Sequence, residues 1–150
     1  ISSQIVFKTL EQKEKIPVFA GMFQKEVAER ICAKEGSKVY GILSVLCQTY
    51  YDVEYLFTVD EHVFNPPPRV KSGVMRMVRK ENFELGCNPA RLKDIVKGAF
   101  NQRRKTLRNA LKRFNLPAEV SEQWWASKRA EQLTWQEFVE LTKWVESNEL

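Results

Sequence analysis

Pro89-Ala90-Arg91-Leu92-Lys93-Asp94-Ile95-Val96-Lys97-Gly98-Ala99-Phe100-Asn101-Gln102-Arg103-Arg104-Lys105-Thr106-Leu107-Arg108-Asn109-Ala110-Leu111-Lys112-Arg113-Phe114 joins helical apolar spacing to a dense run of cations. At about 100° per residue, Leu92, Ile95, Val96, Ala99, Phe100, Leu107, Ala110 and Phe114 gather on one side. Lys93, Lys97, Arg104, Lys105, Arg108 and Lys112 fall in a separate arc of about 120°. The spacing predicts one amphipathic helix over 89–114, packed on its apolar face and open to phosphates on its basic face. Arg103 breaks this pattern, because it projects from the middle of the apolar stripe, where an uncompensated charge is costly. Either a carboxylate pairs with it or the helix is interrupted near it.

The charge is concentrated. Residues 91–113 carry nine Lys or Arg against one acid, Asp94; residues 1–90 carry twelve against eleven, and 114–150 three against seven. The net charge of +5 thus comes from one block of +8. Such a block attracts polyanions over about 10 Å, a Debye length. Solvated helix faces usually mix both signs, so the scarcity of acids favours a nucleic-acid partner.

Working outward, Gly86-Cys87-Asn88-Pro89 is a breaker cluster, beyond which everything reads as helix: 89–114, Ser121 to about Lys128, and Thr134 to about Ser147. Thr134 and Glu137 stand in capping-box spacing, and Trp124, Trp125, Trp135 and Trp144 supply bulk for a small helical core. Upstream the pattern is mixed. Ile5, Val6, Phe7 and Leu10 mark a helix capped by Ser2 or Ser3, Ile16–Gln24 a strand, and Lys25–Lys34 a second helix. Leu43–Tyr51 is a continuous apolar run that we read as helix, although its periodicity does not exclude strand. Val53–Val59 and Val74–Arg79 read as neighbouring strands. The expected organisation is an α/β portion over 1–87 and a small all-α domain over 88–150.

Composition narrows the chemistry. With 43% hydrophobic and 11% aromatic residues in 150, the chain is a folded globular protein. It holds no run near the roughly 18 apolar residues of a membrane span and no secretory signal pattern, which points to the cytoplasm. Cys32, Cys47 and Cys87 are odd in number and unclustered, so they read as buried thiols. His62 is the single histidine, and no metal site is expected. The six glycines never approach phosphate-loop spacing.

Five segments lie in the order found in one family: Gln24-Lys25-Glu26-Val27-Ala28-Glu29-Arg30, Ser37-Lys38-Val39-Tyr40-Gly41-Ile42-Leu43-Ser44-Val45, Phe64-Asn65-Pro66-Pro67-Pro68-Arg69-Val70, Ala99 through Asn109, and Arg129-Ala130-Glu131-Gln132-Leu133. Together they resemble the bacterial ribosomal RNA small-subunit adenine N6,N6-dimethyltransferases, the KsgA family, over nearly the whole chain. The resemblance implies the last strands and helices of a Rossmann-like methyltransferase sheet, then a helical rRNA-binding domain. It also implies that the cofactor loop and the Asn-Leu-Pro-Tyr-type catalytic motif lie upstream of Ile1. S-adenosylmethionine would serve the full-length enzyme, with none bound by this chain alone, and the partner would be small-subunit rRNA in an immature ribosomal subunit. Phe64 would stack on the target base, while Arg69, Arg103, Arg104, Lys105, Arg108 and Lys112 would hold RNA. Ile42 stands where the family usually has Arg, and Lys71 and Gly73 where it has Asp and Ala. Two other readings compete: a non-enzymatic RNA-binding module, and a methyltransferase-derived transcription factor that binds DNA.

Overall fold

The computed structural model describes residues 2–150, so Ile1 lies outside it. Helix α1 spans Ser2–Glu11, strand β1 Val18–Gln24, and helix α2 Lys25–Cys32. Helix α3 follows over Ile42–Tyr50 and runs directly into strand β2, Tyr51–Val59; strand β3 is Ser72–Arg79. Both serines proposed as caps lie within α1 rather than ahead of it.

β3 is the central strand of a three-stranded sheet, antiparallel to β1 and β2. Strict alternation places Gly73, Met75 and Met77 on the buried face, where Phe23, Ala28 and Ile31 also bury. Gly73 is the tightest point. A Cβ built there would sit 2.8 Å from the Cβ of Ala28 and 2.9 Å from the Tyr55 ring. The opposite face leaves Val18, Met22, Phe57 and Val78 exposed.

The ambiguous apolar run is indeed helix, and α3 is buried from Leu43 to Tyr50. Its polar side chains show why burial is tolerated. The Ser44 hydroxyl donates to the Arg30 carbonyl, and the Gln48 amide donates to the carbonyls of Ile31 (3.1 Å) and Ala33 (2.7 Å). These bonds satisfy groups at the C-terminal end of α2 that would otherwise be orphaned.

Helix α4 begins at Pro89, capped by Asn88, whose side chain accepts from the Ala90 N–H at 2.9 Å. It ends at Asn101, so the expected single helix over 89–114 is interrupted. The interruption falls where Arg103 conflicts with the apolar stripe. After a connection through Thr106 come a short helix, α5 (Leu107–Ala110), and a 3-10 turn over Lys112–Phe114. The expected helix over 121–128 is also absent. The Leu107 and Arg108 N–H groups donate to the carbonyls of Lys128 (2.8 Å) and Ala126 (3.1 Å), which holds that segment in turns alongside α5. Helix α6 covers Trp135–Asn148, and its Thr134–Glu137 capping box forms as expected. Trp125 is buried edge-on to Trp144 at 5.7 Å, whereas Trp124 is exposed.

Beyond Arg79 the described residues form no strand, yet the hydrophobic core is one cluster running from Val6 to Val145. α3 touches both α4 and α6. Cross-links reinforce this contact: Gly36, at φ +89°, donates its N–H to the Glu131 carbonyl at 2.7 Å, and the Tyr40 hydroxyl donates to the Leu133 carbonyl at 2.6 Å. No helix among the described residues is long and apolar enough to cross a membrane.

Candidate nucleic-acid interface

The basic residues divide by surroundings. Arg103 stands on the connection just after α4, and its side chain is held on three sides. Its Nε donates to Glu131 Oε2 at 2.9 Å, and its Nη2 donates to the carbonyls of Lys38 (2.9 Å) and Tyr40 (2.7 Å). The guanidinium also lies 5.6 Å from the Phe100 ring centre. Both sequence alternatives for Arg103 are therefore realised: it has a carboxylate partner, and the helix stops beside it. Three of its five N–H donors are engaged.

Arg104 and Lys105 on the same connection, Arg108 on α5 and Lys112 on the following turn are exposed. None has an ion-pair partner among the described residues. Because the helix breaks, these four do not continue the α4 face. Lys93 instead lies 5.4 Å from the Phe7 ring centre, and Lys97 lines a cavity between α1 and α4. Asp94, the one acid in the block, is exposed.

The second group of predicted residues sits on the β2–β3 connection. A 3-10 turn, Glu61–Val63, ends at Phe64, which is half-buried. Arg69 is exposed and lines a cavity of 420 Å³ with Lys25, Glu26, Glu29, Glu61 and Lys71. Lys71 fixes the start of α2 through its backbone, accepting the Lys25 N–H at 2.9 Å. Among the described residues no hydrogen bond or ion pair joins this loop to the Arg103–Lys112 segment. Asp60, Glu61 and His62 bring ligand-type atoms within 4.8 Å of one another, but Asp60 already accepts the His62 N–H at 2.9 Å as the cap of the turn.

The thiols are poor nucleophiles. Burial pushes Cys32 up to about 11 and raises Cys47 and Cys87 as well, so all three stay protonated at neutral pH. What the surface offers is a group of exposed cationic side chains whose charge is not neutralised by a partner among the described residues.

The sequence profile of the family described as ribosomal RNA adenine dimethylase matches residues 1–146. The chain belongs to that family. Among its curated relatives, ribosomal RNA small subunit methyltransferase A of Flavobacterium johnsoniae is 61% identical over 148 residues, covering 99% of this chain and 57% of the relative. The protein of the same name from Bacteroides fragilis is 60% identical over 147 residues, covering 97% and 54%. The chain thus spans about half the length of the curated relatives it matches. A dimethyladenosine transferase from Plasmodium falciparum superposes with TM-score 0.82 at 25% identity, over 94% of this chain and 61% of that one. The 23S rRNA methyltransferase ErmE, at TM-score 0.59 and 23% identity over 95% of this chain and 61% of its own, shares the fold.

Lys38 and the role of Arg103 as a cross-link escaped sequence reasoning. Only folding brings the 36–40 loop against Glu131 and the end of α4. The sole prior signal was the electrostatic misfit of Arg103 in its stripe.

Proposed function

We propose that this chain is the C-terminal part of an S-adenosylmethionine-dependent enzyme that dimethylates, at N6, two adjacent adenines of small-subunit rRNA. Residues 1–87 would finish the methyltransferase sheet, and 88–150 would form the helical rRNA-binding domain. The partner would be an immature small ribosomal subunit in the cytoplasm. The observation that carries this reading is the group of uncompensated, exposed cations Arg104, Lys105, Arg108 and Lys112 in a chain of this family. The exposed apolar residues Val18, Met22, Phe57 and Val78 support the first assignment, since an apolar patch on a sheet face is a surface that a further layer can cover.

The described residues do not fit S-adenosylmethionine by themselves. Gly36 and Gly86, the glycines at positive φ, lie on connections before helices α3 and α4, whereas the β1–α2 turn carries Gln24 and Lys25. Cofactor binding would then belong to a longer protein, and the chain alone is expected to be inactive. Its own part is to hold RNA. The adenine amino group is a weak nucleophile within stacked RNA, so the base has to be extruded and held. Phe64 would stack on it. Arg69, Arg104, Lys105, Arg108 and Lys112 would bind backbone phosphates, which fixes register rather than reading sequence. Arg103 would contribute mainly by shaping the connection they stand on.

The test is binding of a small-subunit rRNA fragment over a range of salt concentrations. Lys105→Ala and Arg108→Ala should each lower the slope of log K against log[salt] by about 0.7 to 1. Unchanged slopes would remove the basis of the proposal. Micromolar binding of S-adenosylmethionine by this chain in calorimetry would overturn the assignment of the cofactor to the longer protein. Preference for duplex DNA over rRNA in competition would favour the transcription-factor reading.

A further inference from the structure

A cavity of 520 Å³ lies where α1, the end of α2, the 38–43 segment and α4 meet. Its lining includes Phe7, Ile42 and Leu43 as apolar surface, Phe100 as a second ring, and four cations: Arg30, Lys38, Lys97 and Arg103. No acid lines it. Two of the cations are already neutralised, Arg30 by Glu26 at 2.9 Å and Arg103 by Glu131 at 2.9 Å. Lys38 and Lys97 are exposed and have no ion-pair partner among the described residues. The cavity therefore joins an apolar, aromatic wall to two uncompensated positive charges.

Another cavity of similar size shows what this combination excludes. The 740 Å³ cavity beside Tyr50 is lined by Glu14, Glu81, Glu84 and Glu146, with Lys13 as its one cation. An anion is repelled there and attracted to the first cavity. A volume of several hundred Å³ suits a ligand of nucleotide size rather than a bare anion. Aromatic rings and a fixed guanidinium plane are the surfaces on which unstacked bases rest.

We propose that this cavity is a subsite for one unstacked nucleotide, its base against Phe7, Ile42 and Phe100 and its phosphate between Lys38 and Lys97. The proposal rests on the RNA-binding reading above and adds a place on the protein which that reading does not use. Base contact here is separate from the predicted stacking at Phe64, which lies on the β2–β3 connection.

The experiment is NMR titration of the 150-residue chain with adenosine 5′-monophosphate, adenosine, inorganic phosphate and a short unpaired RNA oligonucleotide. The mononucleotide should shift the methyl signals of Ile42 and Leu43 and the ring signals of Phe7 and Phe100. The variant Lys38→Ala/Lys97→Ala should weaken mononucleotide binding at least five-fold. It should also lower the RNA salt slope by about 0.7, one phosphate contact on a single strand. A control pair that lines no part of the cavity, Lys15→Ala/Lys143→Ala, should leave both unchanged. Shifts at Ile42 with the oligonucleotide assign the site to a nucleotide of RNA, whereas shifts with the mononucleotide alone assign it to a free nucleotide.

Equal shifts with inorganic phosphate would overturn the proposal, because the aromatic wall would then contribute nothing. RNA binding with an undiminished slope in the double variant would overturn it too, while leaving Arg104, Lys105 and Arg108 as the RNA surface. Loss of all RNA binding by the unaltered chain would remove both readings.

Discussion

Replacing Arg103 with alanine separates structural cross-linking from RNA contact. The substitution deletes one ion pair and two hydrogen bonds to main-chain carbonyls, all between 2.7 and 2.9 Å. A charge-assisted hydrogen bond within a protein contributes about 1.5–3 kcal/mol when well buried. Here the side chains of Arg103 and Glu131 keep 37% and 29% of their surface exposed, so water compensates part of each loss. A total of about 2–3 kcal/mol is expected, with a fall in Tm of about 5–10 °C for a chain of this size. Arg103→Lys should recover less than half, because an ammonium cannot reproduce the planar fork that reaches both carbonyls and the carboxylate. Glu131→Gln should cost about 1 kcal/mol, and the double variant should cost less than the two added together by about 1 kcal/mol. Urea unfolding followed by tryptophan fluorescence measures all four proteins, since Trp125 and Trp144 report on the same core. The reasoning fails if Arg103→Ala leaves the urea midpoint unchanged while lowering the RNA salt slope by a full unit. Arg103 would then be an RNA ligand whose cross-links carry no stability.

Two further outcomes follow from packing and burial. Gly73→Ala should destabilise by about 1–3 kcal/mol in urea unfolding, since the new methyl group would meet Ala28 Cβ at 2.8 Å and the Tyr55 ring at 2.9 Å; an unchanged midpoint would show that β3 moves away from α2 at little cost. Cys32 has its folded value raised from 9.0 to about 11, so the folded state favours the protonated thiol. Its contribution is complete below about pH 9 and declines as pH rises from 9 toward 11, because the unfolded chain loses the proton first. Stability measured from pH 7 to 11 should therefore fall less steeply over that upper window in Cys32→Ala; equal steepness would contradict the cause assigned to the shift.

The parts of the fold that were legible from sequence are those where local chemistry and tertiary packing agree. Thr134 and Glu137 cap α6 because their spacing satisfies two N–H groups without help from elsewhere. β2 and β3 pair as expected because β2 carries β-branched and aromatic residues and β3 alternates buried and exposed side chains. The stretch from Ser121 to Lys128 departs from its expected helix for the opposite reason. It holds no glycine or proline to mark a break, but the carbonyls of Ala126 and Lys128 are taken by α5, a contact between segments that no local pattern reveals.

The basic block illustrates the same division within the site. Its sign and location follow directly from counting charges, and the break in its helix was signalled by Arg103 standing in an apolar stripe. What counting could not provide is which charges remain available. Arg103 finds a carboxylate from another segment, Glu131, Lys93 lies against the ring of Phe7, and Lys97 turns toward a cavity that exists only when α1 and the 38–43 segment come together. Phosphate binding depends on the charge left after these internal pairings, since a neutralised cation releases few counterions on binding. The residues able to hold RNA are therefore fewer than the nine cations of the block. The nucleotide subsite we propose adds Lys38, which lies outside the block and whose relevance comes wholly from the fold.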